Sequence, residues 1–106
     1  MTNKLSKEIV NNLISLFKNN SFETLLTETS NLLTQFPHST FLLNLNGIAN
    51  AKLKKYKKSL LSFEKILSID KNSVDTMYNI GNLKKQMGDI ESAKIFFKRK
   101  IEFNKN

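Results

Sequence analysis

Between Tyr56 and Ile69 the chain sets Tyr56, Ser59, Phe63, Ile66 and Leu67 at intervals of three and four. That spacing lays side chains along one stripe of a helix. Ile90, Ala93, Phe97 and Ile101 repeat it in the last segment, and both stripes are expected to be buried. Gly47, Gly81, Gly88 and Pro37 are the only glycines and proline, so little interrupts a helical reading. Polar breaks at residues 18–21, 37–39, 54–55, 70–73 and 88–89 divide the chain into six helices. Short connections make successive helices antiparallel neighbours. Ser21, Ser39, Ser73 and Asp89 stand where N-caps are needed, with Glu91 in the first turn after Asp89. Pro37 cannot extend the second helix.

The pattern also repeats at long range. Gly47 and Gly81 lie 34 residues apart, and the same offset places Phe63 on Phe97, Tyr56 on Ile90, Ser59 on Ala93 and Leu67 on Ile101. Shifted back, it sets Phe22 under Tyr56, Ile9 under Leu43 and Leu33 under Leu67. The best copy runs from Asp75 through Met77, Ile80 and Gly81, then Gly88, Asp89, Ile90, Ala93 and Phe97. This period and layout resemble the tetratricopeptide repeat, a helix–turn–helix unit of about 34 residues.

The resemblance implies an all-α fold, an α–α superhelix of three repeats and six helices. Residues 1–106 then form one domain, with repeats at 6–39 (degenerate), 40–73 and 74–106. Gly47 and Gly81 let the second helix of a repeat cross closely, Ser59 and Ala93 are their small counterparts, and Phe63 and Phe97 fill the space between. Tyr56 and Ile90 complete the set of repeat-packing residues. Some positions depart from the family pattern. Leu13 and Leu25 replace small residues in the first copy, so its helices should pack further apart. Asn46 and Asn50 replace apolar residues, and Lys100 stands where a small apolar one is usual.

In arrays of this family the first helix of each repeat lines a concave surface. Carried onto this sequence, that exposes Lys7, Val10, Asn11, Ile14 and Phe17 from the first copy. The second gives Phe41, Asn44, Leu45, Ile48 and Lys52, and the third Asp75, Tyr78, Asn79, Asn82, Lys85 and Gln86. An apolar half beside an amide-rich half suits an extended peptide or a helix. The apolar members Val10, Ile14 and Ile48 have a second reading as packing between repeats. Family members that clamp a C-terminal carboxylate need lysine, asparagine and arginine at set positions. Those positions here read Val10, Ile14, Leu45, Asp75 and Asn79, so the clamp is absent. An asparagine ladder, as in members attached to sugar-transferring enzymes, would use Asn11 and Asn79, but Leu45 interrupts it.

Composition narrows the function further. The 106 residues are 40% hydrophobic with a net charge of +8 and no cysteine, which excludes disulfides and thiolate chemistry. Arg99 is the only arginine, and lysine, asparagine and isoleucine are all frequent. AT-rich codons account for that bias as readily as a basic binding surface does. The run Lys52–Lys58 is the densest charge feature, read either as a patch for nucleic acid or an acidic protein or as a solvated turn. Its Leu53 and Tyr56 are expected to face inward. His38, the only histidine, falls in the turn after Pro37. No cofactor, metal or phosphate motif stands out, and a non-catalytic binding module is the expected function. A cytoplasmic location is the default expectation, with no apolar run long enough to span a membrane. The alternatives are a recognition segment of the type fused to sulfotransferase or glycosyltransferase domains, or a lysine-rich binder of nucleic acid or an acidic partner. Phe96 and Phe103 share one stripe of the last helix, offset from its core face, which raises the prospect of a homodimer through that end or of a missing downstream domain.

Overall fold

The computed structural model describes residues 4–104, with side chains to residue 102. Six helices are present among the described residues: α1 (Lys7–Lys18), α2 (Phe22–Leu33), α3 (Thr40–Lys52), α4 (Tyr56–Ile69), α5 (Val74–Gln86) and α6 (Ile90–Asn104). Each packs on the next, giving antiparallel pairs stacked in series in a body of 42 × 30 × 21 Å. The all-α architecture expected from the periodicity is the one observed.

Serine hydroxyls start three of the helices. Ser6 accepts from the Ile9 amide at 3.2 Å, Ser39 from Leu42 at 3.2 Å and Ser73 from Thr76 at 3.4 Å. Asp89 does the same for α6, accepting from the Ser92 amide at 3.2 Å. Bonds from the Ser92 hydroxyl and amide hold the Asp89 carboxyl below the usual carboxylate range, helped by Lys84. Ser21, expected to cap α2, makes no such bond. Its backbone sits at ψ 64°, whereas Ser6, Ser39 and Ser73 are extended at ψ 154°, 108° and 100°.

The hairpin turns repeat a second device. Asn20, Lys54 and Gly88, each 34 residues from the next, all have positive φ (58°, 63° and 85°). The following amides of Ser21, Lys55 and Asp89 reach back to Leu16, Asn50 and Lys84 carbonyls at 2.8–2.9 Å. This left-handed closure satisfies carbonyls at the end of the preceding helix and reverses the chain within three residues.

Within the second and third pairs the helices cross closely. A Cβ on Gly47 would stand 2.6 Å from Phe63 Cε1, and one on Gly81 would stand 2.5 Å from Phe97 Cε1. Ser59 occupies the same crossing and donates its hydroxyl to the Gly47 carbonyl at 2.7 Å. Ala93, its counterpart, is buried without needing a partner. In the first pair Leu13 and Leu25 fill the corresponding positions, both fully buried, and α1 and α2 approach less closely.

Two apolar clusters form the core. One joins Leu13, Leu25, Leu42, Leu45 and Ala49; the other joins Leu43, Phe63, Ile66, Ile80 and Leu83. Asn46 and Asn50 are buried as well; a polar network satisfies Asn46, and Asn50 joins it through its Nδ2 alone. Asn46 Nδ2 donates to Thr29 Oγ1 at 3.0 Å and Ser30 Oγ at 3.1 Å. Its Oδ1 accepts from Asn50 Nδ2 at 3.0 Å and Ser62 Oγ at 2.9 Å.

The last stripe corrects an expectation. Ile90 is 45% exposed and Ile101 59%, although their counterparts Tyr56 and Leu67 pack against the cluster that holds Ile80 and Leu83 of α5. Those counterparts have a following helix over them, and among the described residues Ile90 and Ile101 have none. Phe96 differs too: it is half-buried against the second cluster, with the Arg99 guanidinium 5.1 Å from its ring centroid. It packs on the array instead of standing clear of it. The side chain of Phe103 lies outside the described residues.

Candidate concave groove

Helices α3 and α5 form the walls of a groove, and the short α4–α5 connection closes one end of it. Its centre is fixed by Asn79, whose Nδ2 donates to Asn44 Oδ1 at 3.2 Å. Each amide keeps bonding capacity beyond this contact: Asn79 retains its carbonyl oxygen and Asn44 its amino group. One acceptor and one donor side by side match the N–H and C=O of a peptide backbone.

On one side of this pair lies a polar hollow of ≈ 290 Å³. Phe41 and Asn44 come to it from α3, Ile66 from α4, and Asp70, Asp75 and Thr76 from the connection and the start of α5. Among the described residues the only ion pair is Glu91 with Lys94, so both aspartates present a carboxylate without a cationic partner. On the other side lies a hollow of ≈ 250 Å³ with an apolar floor of Ile48, Ala51, Phe63 and Leu83. Lys52, Asn82 and Gln86 form its rim. The groove thus runs from an acidic, polar end to an apolar end edged by a lysine.

The expected groove residues divide on this geometry. Phe41, Asn44, Ile48, Lys52, Asp75, Asn79 and Asn82 come together along the two hollows. Leu45 does not: at 7% exposure it belongs to the first core cluster, packed with Leu13, Leu42 and Ala49. The wide α1–α2 pair leaves room that a leucine on α3 fills. Tyr78 lies against Phe97, with ring centroids 6.1 Å apart, and carries the Lys100 ammonium at 4.4 Å. It lines neither hollow, and Lys85 stands exposed outside both. From the first copy Val10 and Ile14 are half-buried, while Phe17 meets Phe22 edge-on at the α1–α2 turn. Sequence reading missed Asp70, which it treated only as a break. The signal was the short α4–α5 connection, which brings that residue alongside the start of α5.

Other candidate chemistry stays dispersed. His38 is exposed in its turn, and no group of three or more potential metal ligands occurs among the described residues. Lys54, Lys55, Lys57 and Lys58 are exposed around a half-buried Leu53 and Tyr56, and Lys52 extends toward the Phe22 ring. No described helix is long and apolar enough to cross a membrane.

Residues 74–106 match a family model described as tetratricopeptide repeat. No curated protein matches the chain. Among solved structures, a MamA mutant has a TM-score of 0.84 at 18% identity, covering 92% of this chain and 71% of that one. A second MamA structure has a TM-score of 0.85 at 18% identity, covering 92% and 56%. The first tetratricopeptide domain of Spaghetti (RPAP3), solved with the HSP90 peptide SRMEEVD, has a TM-score of 0.83 at 15% identity, covering 92% and 78%. At such identities the likeness is one of fold. The chain spans little more than half the length of most of the MamA chains it matches.

Proposed function

We propose, from the tetratricopeptide repeat match over residues 74–106 and the likeness of fold along the chain, that this is a non-catalytic module that binds a peptide segment in the α3–α5 groove. Residues 1–106 act as one unit, with repeats at 6–39, 40–73 and 74–106. The observation that carries the reading is the Asn44–Asn79 pair between two chemically distinct hollows. The amides bond the peptide backbone. An apolar side chain enters the Ile48–Phe63–Leu83 hollow, and a lysine or arginine reaches Asp70 and Asp75 in the other. Backbone bonds supply affinity, and the hollows supply register and orientation.

The charge arrangement separates this groove from the one that holds SRMEEVD in the RPAP3 domains. That peptide is rich in carboxylates, and here two carboxylates already occupy one end. Lysine and arginine are also missing from the positions where a terminal-carboxylate clamp would need them, which read Val10, Ile14, Leu45, Asp75 and Asn79. A cationic segment is therefore the better fit.

Selection of a displayed random peptide library on the full chain tests this. The expected consensus pairs a lysine or arginine with an apolar residue, and Asp75→Lys removes binding while helicity by circular dichroism is unchanged. A consensus that is acidic, or indifferent to Asp75→Lys, contradicts the proposal.

A further inference from the structure

The side of α3 turned away from the groove borders a third hollow. Helical spacing sets Asn46 and Asn50 on the opposite side of α3 from Asn44 and Ile48. They form the floor of an opening of ≈ 320 Å³ between α2 and α4. The fold does not require this opening, as the array itself demonstrates. One repeat on, 34 residues later, Ile80 stands in the place of Asn46 and Phe96 in that of Ser62. Ile80 is fully buried and Phe96 packs against its cluster, so apolar side chains occupy the equivalent space there.

The polar groups around the hollow are unevenly satisfied. Asn46 has four partners and no capacity left. Asn50 is 3% exposed and gives one N–H to Asn46, yet its Oδ1 is buried without a donor. An acceptor in that state carries a cost that a bound N–H would remove. Ser62 spends its proton on Asn46 and keeps a lone pair, whereas Ser30 accepts from Asn46 and keeps its proton. Lys58 lines the same hollow and has no carboxylate partner among the described residues. Leu26 and Leu61 supply apolar wall, and Leu61, at 66%, is the most exposed of the large hydrophobic residues described.

Three demands follow for a ligand. Asn50 Oδ1 and Ser62 Oγ call for N–H donors, Lys58 and the Ser30 hydroxyl for a carboxylate, and the two leucines for an aliphatic tail. We propose that this hollow binds a free α-amino acid with an aliphatic side chain, its ammonium, carboxylate and tail meeting those three sets of groups. The volume lies at the lower end of the range for small-molecule sites. Lys58 and Leu61 are exposed, and rotation of their side chains admits the ligand to Asn50. Asn50 is then kept for the ligand and not for the fold.

Calorimetric titration of the full chain with L-leucine, L-isoleucine and L-valine tests this. The best of the three should bind with a Kd of about 1 mM or below. Its analogues without the amine (4-methylpentanoate for leucine) and without the carboxylate (leucinamide) should each bind at least about tenfold more weakly. Asn50→Leu, which removes the orphan acceptor, and Lys58→Gln, an exposed change, should each weaken the amino acid about tenfold or more with helicity unchanged. Asp75→Lys, which alters the α3–α5 groove, should leave its affinity as it was. No binding of any of the three at about 10 mM, analogues that bind as well as the amino acid, or an affinity unaltered by Asn50→Leu and Lys58→Gln overturns the proposal. So does tighter binding of a tripeptide ending in the same residue, since a peptide would then be the ligand.

Discussion

The Asn79 side-chain amide donates to Asn44 Oδ1 at 3.2 Å, and these two residues are the place where α3 and α5 meet in the groove. Both are half-buried, so water can compete for the bond and its net contribution to stability is small. Replacing both by leucine should change urea unfolding by less than about 1 kcal/mol. A much larger loss would mean that the pair holds the helices together and is not reserved for a ligand.

Gly47 and Gly81 should not be equivalent. An alanine at either meets a phenylalanine ring within 2.6 Å, which overpacking values place at a cost of about 1–3 kcal/mol. Phe63 is 2% exposed and has nowhere to go, whereas Phe97 is less buried and can swing toward the open end. Thermal unfolding should therefore show Gly47→Ala losing more than Gly81→Ala. Equal losses would argue against an uncovered Phe97.

Lys54 holds a left-handed conformation at φ 63°, in the position that Gly88 occupies without strain. A side chain there costs roughly 1–2 kcal/mol, partly offset in a glycine by extra freedom of the unfolded chain. Lys54→Gly should raise stability by about 1 kcal/mol and Gly88→Ala should lower it by a similar amount. Chemical denaturation of the two variants checks both signs.

The buried amides give an opposed pair of expectations. Asn46 serves four partners, so Asn46→Leu should cost about 1–3 kcal/mol by stranding the Asn50 amide. Asn50 Oδ1 is buried with no partner, and Ser62 still serves Asn46 when Asn50 is removed. Asn50→Leu should then be neutral or stabilising in the same assay.

These features were legible in the sequence to different degrees. The 34-residue offset exposed Gly47 with Phe63 and Gly81 with Phe97 because close crossing demands a small residue facing a large one. The turns hid their left-handed residues: asparagine, lysine and glycine at one position share no composition, only a φ. Leu45 was misplaced because the family's groove position was carried onto a pair whose neighbours, Leu13 and Leu25, had changed. Ile90 and Ile101 read as core because periodicity reports which residues share a face and not whether another helix covers it. The failed Ser21 cap has the same kind of cause, since residue type allows a cap and backbone conformation decides it.

On the proposed function, the Asn44–Asn79 pair and Asp75 hold a peptide between α3 and α5. Calorimetric titration of the strongest library-selected peptide into the wild-type chain, the Asp75→Lys variant and the Asn44→Leu/Asn79→Leu double variant tests it most directly. Binding should be at least about tenfold weaker in each variant, with helicity preserved. Affinities within about twofold of wild type in both would contradict it.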